Sequence, residues 1–177
     1  MDGAASTRLF LALWPDPATR HALRERRDAW NWPRSASPVH TDKLHLTLHF
    51  LGEQPSARLP EMRRAFAVAV TPFSLSIGVP TLWPHGVAVL EPHMQPPELL
   101  ALHAKLSDAL LSLGLQPEAR SYRPHVTLAR RAGKAVVPAE AEPLVWNIDG
   151  YALVESQPGN GGRYTVLEQY GAGLAQG

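Results

Sequence analysis

His45 and Thr47, in the stretch HLTLHFLG at residues 45–52, and His125 and Thr127, in HVTLAR at residues 125–130, put the same two side-chain types at the same spacing eighty positions apart. Side chains alternate across an extended strand. Each His and Thr therefore share one face, while Leu46 and Leu48, or Val126 and Leu128, share the other. A single such strand is most simply a half-buried edge whose polar side meets water; two copies, in lobes related by a pseudo-twofold axis, would converge on one cleft. Paired imidazoles suit a reaction in which one group takes a proton while another gives one, since an ordinary histidine pKa of about 6.5 allows either state. The two threonine hydroxyls can donate to a bound anion. A phosphate fits this better than a carboxylate, because a tetrahedral group offers separate oxygens to two opposed donors. Arg130 would oppose the charge that grows on a pentacovalent phosphorus. Strict alternation, however, puts Arg130 on the Val126 face, so it reaches the site only if the strand bulges or ends near Ala129; otherwise it is a solvated arginine in ARRAGK.

The elements that must position these residues run in the same order twice. RLFLALW (residues 8–14) reads as a strand closed by PDP, where Asp16 caps a helix with Pro17 in its first turn and ATRHALRERRDAW as its body. A Pro- and Ser-containing loop leads to the first His-x-Thr strand, at about 44–51. RLPEMRRAFAVAV then reads as a helix and FSLSIGVP as an alternating strand. In the second half GVAVLEP is a strand. Leu99, Leu102, Leu106, Leu110 and Leu113 recur at helical spacing up to Gly114, and a loop enters the second His-x-Thr strand, at about 124–130. Phe10 to His45 spans 35 positions and Val89 to His125 spans 36, which points to a duplicated lobe. WNIDGYALVES and RYTVLEQY read as two late strands joined by QPGNGG, with 171–177 a frayed tail. The expectation is an α+β chain, 1–177 forming one bilobal domain.

Composition narrows the field. With 17 Lys and Arg against 16 Asp and Glu the formal charge is +1, so a nucleic-acid partner must be met by a local patch, and long duplex DNA is not expected as the main ligand. The arginines of RERR (Arg24 to Arg27), Arg63, Arg64, Arg130 and Arg131 are candidates for a basic rim. The absence of cysteine excludes disulfides, thiolate zinc sites and cysteine nucleophiles, and fits a reducing compartment. LFLALW is too short for a signal or membrane span, so a cytoplasmic protein without membrane attachment is expected. His21, His40, His85, His93 and His103 have no paired metal spacing, and neither a Gly-x-Ser-x-Gly turn nor a P-loop is present.

HLTLHFLG and RPHVTLARR, with RLFLALWP near the start and RYTVLEQY near the end, resemble the RNA 2′,3′-cyclic phosphodiesterases, also called the 2′-5′ RNA ligase family, of the two-histidine phosphoesterase superfamily. The likeness runs from about residue 8 to about residue 170. It implies a bilobal fold, antiparallel sheets lining a central cleft and helices outside. It also implies hydrolysis of RNA-terminal 2′,3′-cyclic phosphate to 2′-phosphate with no metal or other cofactor and no obligate protein partner. By the same resemblance His45 is the general acid on the leaving 3′ oxygen, His125 the general base on water, and Thr47, Thr127 and Arg130 hold the phosphate. Phe10, Trp14 and Tyr122 are the aromatics nearest the cleft in chain terms and are candidates for base stacking. Where the family commonly has Lys or Arg the chain has His49, which alternation puts on the His45 face, at the cleft rim. Two other readings stay open: a binding module for nucleotides or RNA ends without turnover, and 2′-5′ RNA ligation as the reverse reaction.

Overall fold

Nine strands hydrogen-bond into one antiparallel sheet among the residues that the computed structural model describes, 5–159 and 162–171, and three helices are packed into the apolar core on one side of it. In chain order the elements are β1 (Ser6–Leu13), α1 (Pro17–Asp28), β2 (Ser37–Pro38), β3 (Leu46–Pro55), α2 (Leu59–Ala65), β4 (Phe73–Trp83), β5 (Val87–Pro92), α3 (Pro97–Ser112), β6 (Val126–Arg130), β7 (Leu144–Ile148), β8 (Gly150–Gln157) and β9 (Arg163–Gly171). The strand order is β7-β4-β5-β6-β3-β1-β8-β9, with β2 on β6. Lobe one is β3-β1-β8-β9 and lobe two is β6-β5-β4-β7. They meet where β3 and β6 pair through Leu46 and Val126. The α+β bilobal architecture read from the duplicated order is the one found.

Alternation along β1 sorts the core. Leu9, Leu11 and Leu13 join the main cluster with Leu23 of α1, Met62 of α2 and Leu99, Leu102, Leu106 and Leu110 of α3. Phe10 and Ala12 face the opposite way, into a smaller cluster with Ala152, Val154, Trp14, Tyr164 and Val166 that floors the cleft. Asp16 caps α1 as its sequence indicates, its carboxylate accepting from the Thr19 N–H at 2.7 Å. α1 reaches lobe two, where Arg26 donates to the Glu142 carbonyl, whereas α3 packs on β3 of lobe one.

Three expectations need correction. α2 ends at Ala65 instead of running through the AVAV stretch, because the Tyr151 hydroxyl accepts from the Val68 N–H at 2.9 Å and donates to the Phe66 carbonyl at 2.7 Å, giving that backbone partners outside a helix. WNIDGYALVES is two strands. β7 pairs with β4 in lobe two, the chain crosses at Asp149, and β8 pairs with β1 and β9 in lobe one. The first His-x-Thr strand runs on to Pro55, paired there with Ser6. Of the expected frayed tail, Gly171 closes β9 and 172–177 lie outside the described residues, as do positions 160 and 161 of the QPGNGG turn.

The crossing depends on a close backbone approach. A Cβ at Gly150 would lie 2.2 Å from the Tyr170 carbonyl oxygen, and the clash is with backbone that a side-chain rotation cannot relieve. Gly150→Ala is expected to cost at least about 1–3 kcal/mol, as forced overpacking does, read as a lower urea midpoint with an unchanged m-value.

Candidate active site

Each His-x-Thr strand bulges one residue past its threonine. In β3 the register with β1 steps from Ala12↔Thr47 to Leu11↔His49, so Leu48 is the extra residue; in β6 the register with β5 steps from Val89↔Thr127 to Ala88↔Ala129, so Leu128 is the extra residue. A bulge puts two consecutive residues on one side and reverses the alternation beyond it. In β3 both Leu48 and His49 are consequently buried, as are Leu128 and Ala129 in β6. The next residue, Phe50 in one lobe and Arg130 in the other, turns back to the cleft face and is exposed. This is how Arg130 reaches the histidines, on both of which its positive charge acts. Arg131 follows with φ 53° and ends the strand.

The histidines are held alike. His45 Nδ1 donates to the Lys43 carbonyl at 2.6 Å, and His125 Nδ1 to the Arg123 carbonyl at 2.9 Å, in each case two residues upstream. A carbonyl only accepts, so Nδ1 carries the proton in both neutral rings and Nε2 is left for chemistry. In the neutral ring His45 Nε2 accepts from the Thr47 hydroxyl at 2.9 Å. Aromatic rings fix both imidazoles: Phe10 at 4.8 Å, Tyr164 at 5.6 Å and Trp14 at 5.9 Å from His45, and Trp83 at 4.3 Å from His125. Arg20 donates to the Thr41 and Leu44 carbonyls at 2.7 and 3.0 Å and lies over the Trp14 ring, tying α1 to the turn that delivers His45. Thr127 is half-buried on the cleft face, opposite Val89 of β5.

Several candidates sit elsewhere than alternation placed them. His49 is not at the rim. The Leu48 bulge turns it to the helix side, where it is 5% exposed, stacked on His103 at 4.0 Å, with Nε2 donating to the His103 carbonyl at 3.0 Å. Phe10, at 3% exposure, offers a base no free face and instead cushions His45. Tyr122 stacks on His103 at 3.8 Å and donates to the Thr47 carbonyl at 2.9 Å, so it braces β3 from the loop before β6. Trp14 borders the cleft between His45 and Arg20. Phe50, 59% exposed on the cleft face beside Phe10, was missed, and so were Trp83, Tyr164 and Arg20; only the bulges and the sheet order bring them to the site. The RERR arginines are engaged within the fold: Arg24 and Arg27 pair with Asp28, Arg27 also donates to the Val39 carbonyl, and Arg26 donates to the Glu142 carbonyl. Among the described residues no group of three or more His, Asp or Glu side chains converges as metal ligands do, and no helix is long and apolar enough to cross a membrane.

Residues 14–160 match the model of the 2′-5′ RNA ligase superfamily. The chain belongs to the 2′-5′ RNA ligase superfamily. It is similar to the RNA 2′,3′-cyclic phosphodiesterase of Thermus thermophilus, with 32% identity over 92% of this chain and 89% of that protein. It is also similar to the protein of that name from Escherichia coli, with 29% identity over 92% and 95%. Among solved structures it resembles E. coli LigT in its apo form, with a TM-score of 0.83 at 26% identity, covering 94% of this chain and 98% of that one. The LigT complex with 3′-AMP gives 0.82 at the same identity and coverage.

Within this superfamily member the histidines are electrostatically poised. Burial pushes the His45 pKa down to about 4, with the positive charges of Arg20, His125 and Arg130 adding to the effect and the hydrogen bond to Lys43 opposing it. Burial also lowers His125, again against its backbone hydrogen bond. Both rings are neutral near pH 7 in the free protein. An anion between them would offset the cations and return proton affinity. An NMR titration of the ring protons is expected to place the His45 midpoint at about 4, and saturating inorganic phosphate should move it to higher pH.

Proposed function

We propose that this chain hydrolyses the 2′,3′-cyclic phosphate at RNA ends, including those of short oligonucleotides, to a 2′-phosphate, without metal or other cofactor, using His45 as general acid and His125 as general base. The observation that carries this reading is the matched pair of Nδ1-to-carbonyl hydrogen bonds, which leaves one Nε2 at the head of each of two adjoining strands for the substrate. The names of the relatives supply the substrate class. A cytoplasmic site of action belongs to the same proposal and rests on the cysteine-free composition.

The cyclic phosphate, a monoanion, lies between the two strands with its oxygens toward Thr47, Thr127 and Arg130. Its charge raises the proton affinity of the neighbouring imidazoles, so that one enters the reaction protonated. His125 Nε2 accepts a proton from water as the water oxygen bonds to phosphorus. The bond from phosphorus to the 3′ oxygen breaks, and His45 Nε2 donates its proton to that oxygen, leaving the 2′-phosphate. Arg130 opposes the charge that accumulates on the equatorial oxygens. The same steps with an RNA 5′-hydroxyl in place of water give ligation, and bulk water prevails unless two RNA ends are held together.

The test is incubation of the protein in excess EDTA with an oligonucleotide ending in a 2′,3′-cyclic phosphate, separating the terminal phosphate isomers by chromatography. Conversion to the 2′-phosphate is expected, with His45→Ala and His125→Ala each losing about 10²–10⁴ in turnover while remaining folded. Retained binding without conversion by the unmodified protein would instead make it a binding module. For the nucleobase the exposed face of Phe50 is the platform the cleft provides, with Trp14 beside His45. Stacking contributes about 1–3 kcal/mol per base, so Phe50→Ala is expected to raise KM for the oligonucleotide at least fivefold, a ratio to be measured against its effect on kcat.

A further inference from the structure

The two histidines are held alike by backbone, but their wider surroundings differ. In lobe one Lys43, whose carbonyl binds His45, places its ammonium 5.3 Å from the centre of the Tyr164 ring that flanks His45. In lobe two Arg123, whose carbonyl binds His125, places its guanidinium 4.6 Å from the centre of the Trp83 ring that flanks His125. A cation two residues before the histidine thus stacks on the aromatic ring that contacts it in both lobes. Lobe two adds a carboxylate. Glu91, on β5, accepts from Arg123 Nε at 2.8 Å and Nη2 at 3.0 Å and from the Trp83 indole N–H at 3.4 Å, with its side chain only 16% exposed.

We infer that Glu91 is a positioning residue for His125: one carboxylate clamps both the arginine whose carbonyl fixes the imidazole tautomer and the tryptophan against which the ring packs. This rests on the proposed role of His125 as the general base. A bidentate carboxylate–guanidinium pair has a fixed geometry; linked to the indole N–H, it holds Arg123, Trp83 and His125 as one unit. The charged groups acting on His125 are Glu91 from β5, Arg123 from the loop before β6 and Arg130 from β6. Glu91 is the one carboxylate among them, and it favours the imidazolium that forms when His125 takes the proton of water. His45 faces Arg20, Arg130 and His125, and among the described residues no carboxylate is found acting on it. Glu91 therefore makes the two lobes inequivalent for proton transfer.

Glu91→Gln and Glu91→Ala are the variants, assayed on the cyclic-phosphate oligonucleotide and followed by NMR titration of His125. Glu91→Ala is expected to lower kcat about 10- to 100-fold, the scale of a misplaced reacting group, with KM changed by less than about threefold. Glu91→Gln, which keeps the shape and loses the charge, is expected to lower the His125 midpoint while leaving that of His45 in place. Folded variants with unchanged kcat and an unchanged His125 midpoint would overturn the inference, as would a fall in kcat matched by an equal rise in KM. If Glu91→Ala does not fold, Glu91→Gln still decides through the NMR midpoint. Full activity in His125→Ala would defeat the proposed function instead, an outcome that the His125 midpoint in Glu91→Gln does not depend on.

Discussion

The extra residue in each His-x-Thr strand is the constraint from which the site follows. An unbroken strand would give the cleft His45, Thr47 and His49 from one lobe and His125, Thr127 and Ala129 from the other, and would send Arg130 to the helix side. The bulges at Leu48 and Leu128 reverse this outcome beyond the threonines. Histidine and threonine keep the cleft face, the following pair is buried under the helices, and the fifth residue after each histidine returns to the cleft. The same backbone device delivers different chemistry in the two lobes because Phe50 stands in one copy and Arg130 in the other. At this one position the cleft receives an aromatic side chain from lobe one and a cationic one from lobe two.

Much of this was legible in the sequence, and the limits have physical causes. The duplicated order and the near-equal separations identified the lobes, because hydrophobic periodicity and caps such as Asp16 are local. Alternation correctly assigned Thr47 and Thr127 to the faces of their histidines, since no irregularity intervenes. It failed from His49 onward, because a bulge is fixed by pairing with β1 or β5 and leaves no local signature between Thr47 and Phe50. Arg130 could be brought to the site only by supposing a bulge that its own strand does not announce. Trp83 and Tyr164 are invisible as site residues in the chain. Each lies some forty positions from the histidine it flanks or further, and only the strand order places it. The misreading of Phe10 and Tyr122 is of another kind: nearness to the cleft was right, but the ring faces were already occupied by His45 and His103.

Electrostatics and packing conflict at His45, and the conflict is useful. A ring wedged among Phe10, Trp14 and Tyr164 is firmly oriented, yet the burial that orients it pushes its pKa down to about 4 and disfavours its charged form. An anionic ligand would resolve this by supplying a countercharge that no described residue acting on His45 supplies. Under the proposed function this coupling would favour a phosphate ester over a neutral ligand, since a neutral molecule in the same cleft would leave both imidazoles uncharged.

The crossing at Asp149 bears on how such a site comes into being on a growing chain. Lobe two is built from residues 73–148, whereas lobe one combines the first strand with the last two, bringing Thr7 against Glu155, 148 positions away. Closing so long a loop carries a large entropic cost before its contacts form, and such pairings are slow. During synthesis the strands of lobe two are all available while β1 and β3 still lack β8 and β9. Tyr164, which walls His45, arrives last. The chain therefore has its second histidine strand and that strand's sheet partners before the first histidine has its full aromatic enclosure, so that catalytic competence waits on the C-terminal strands.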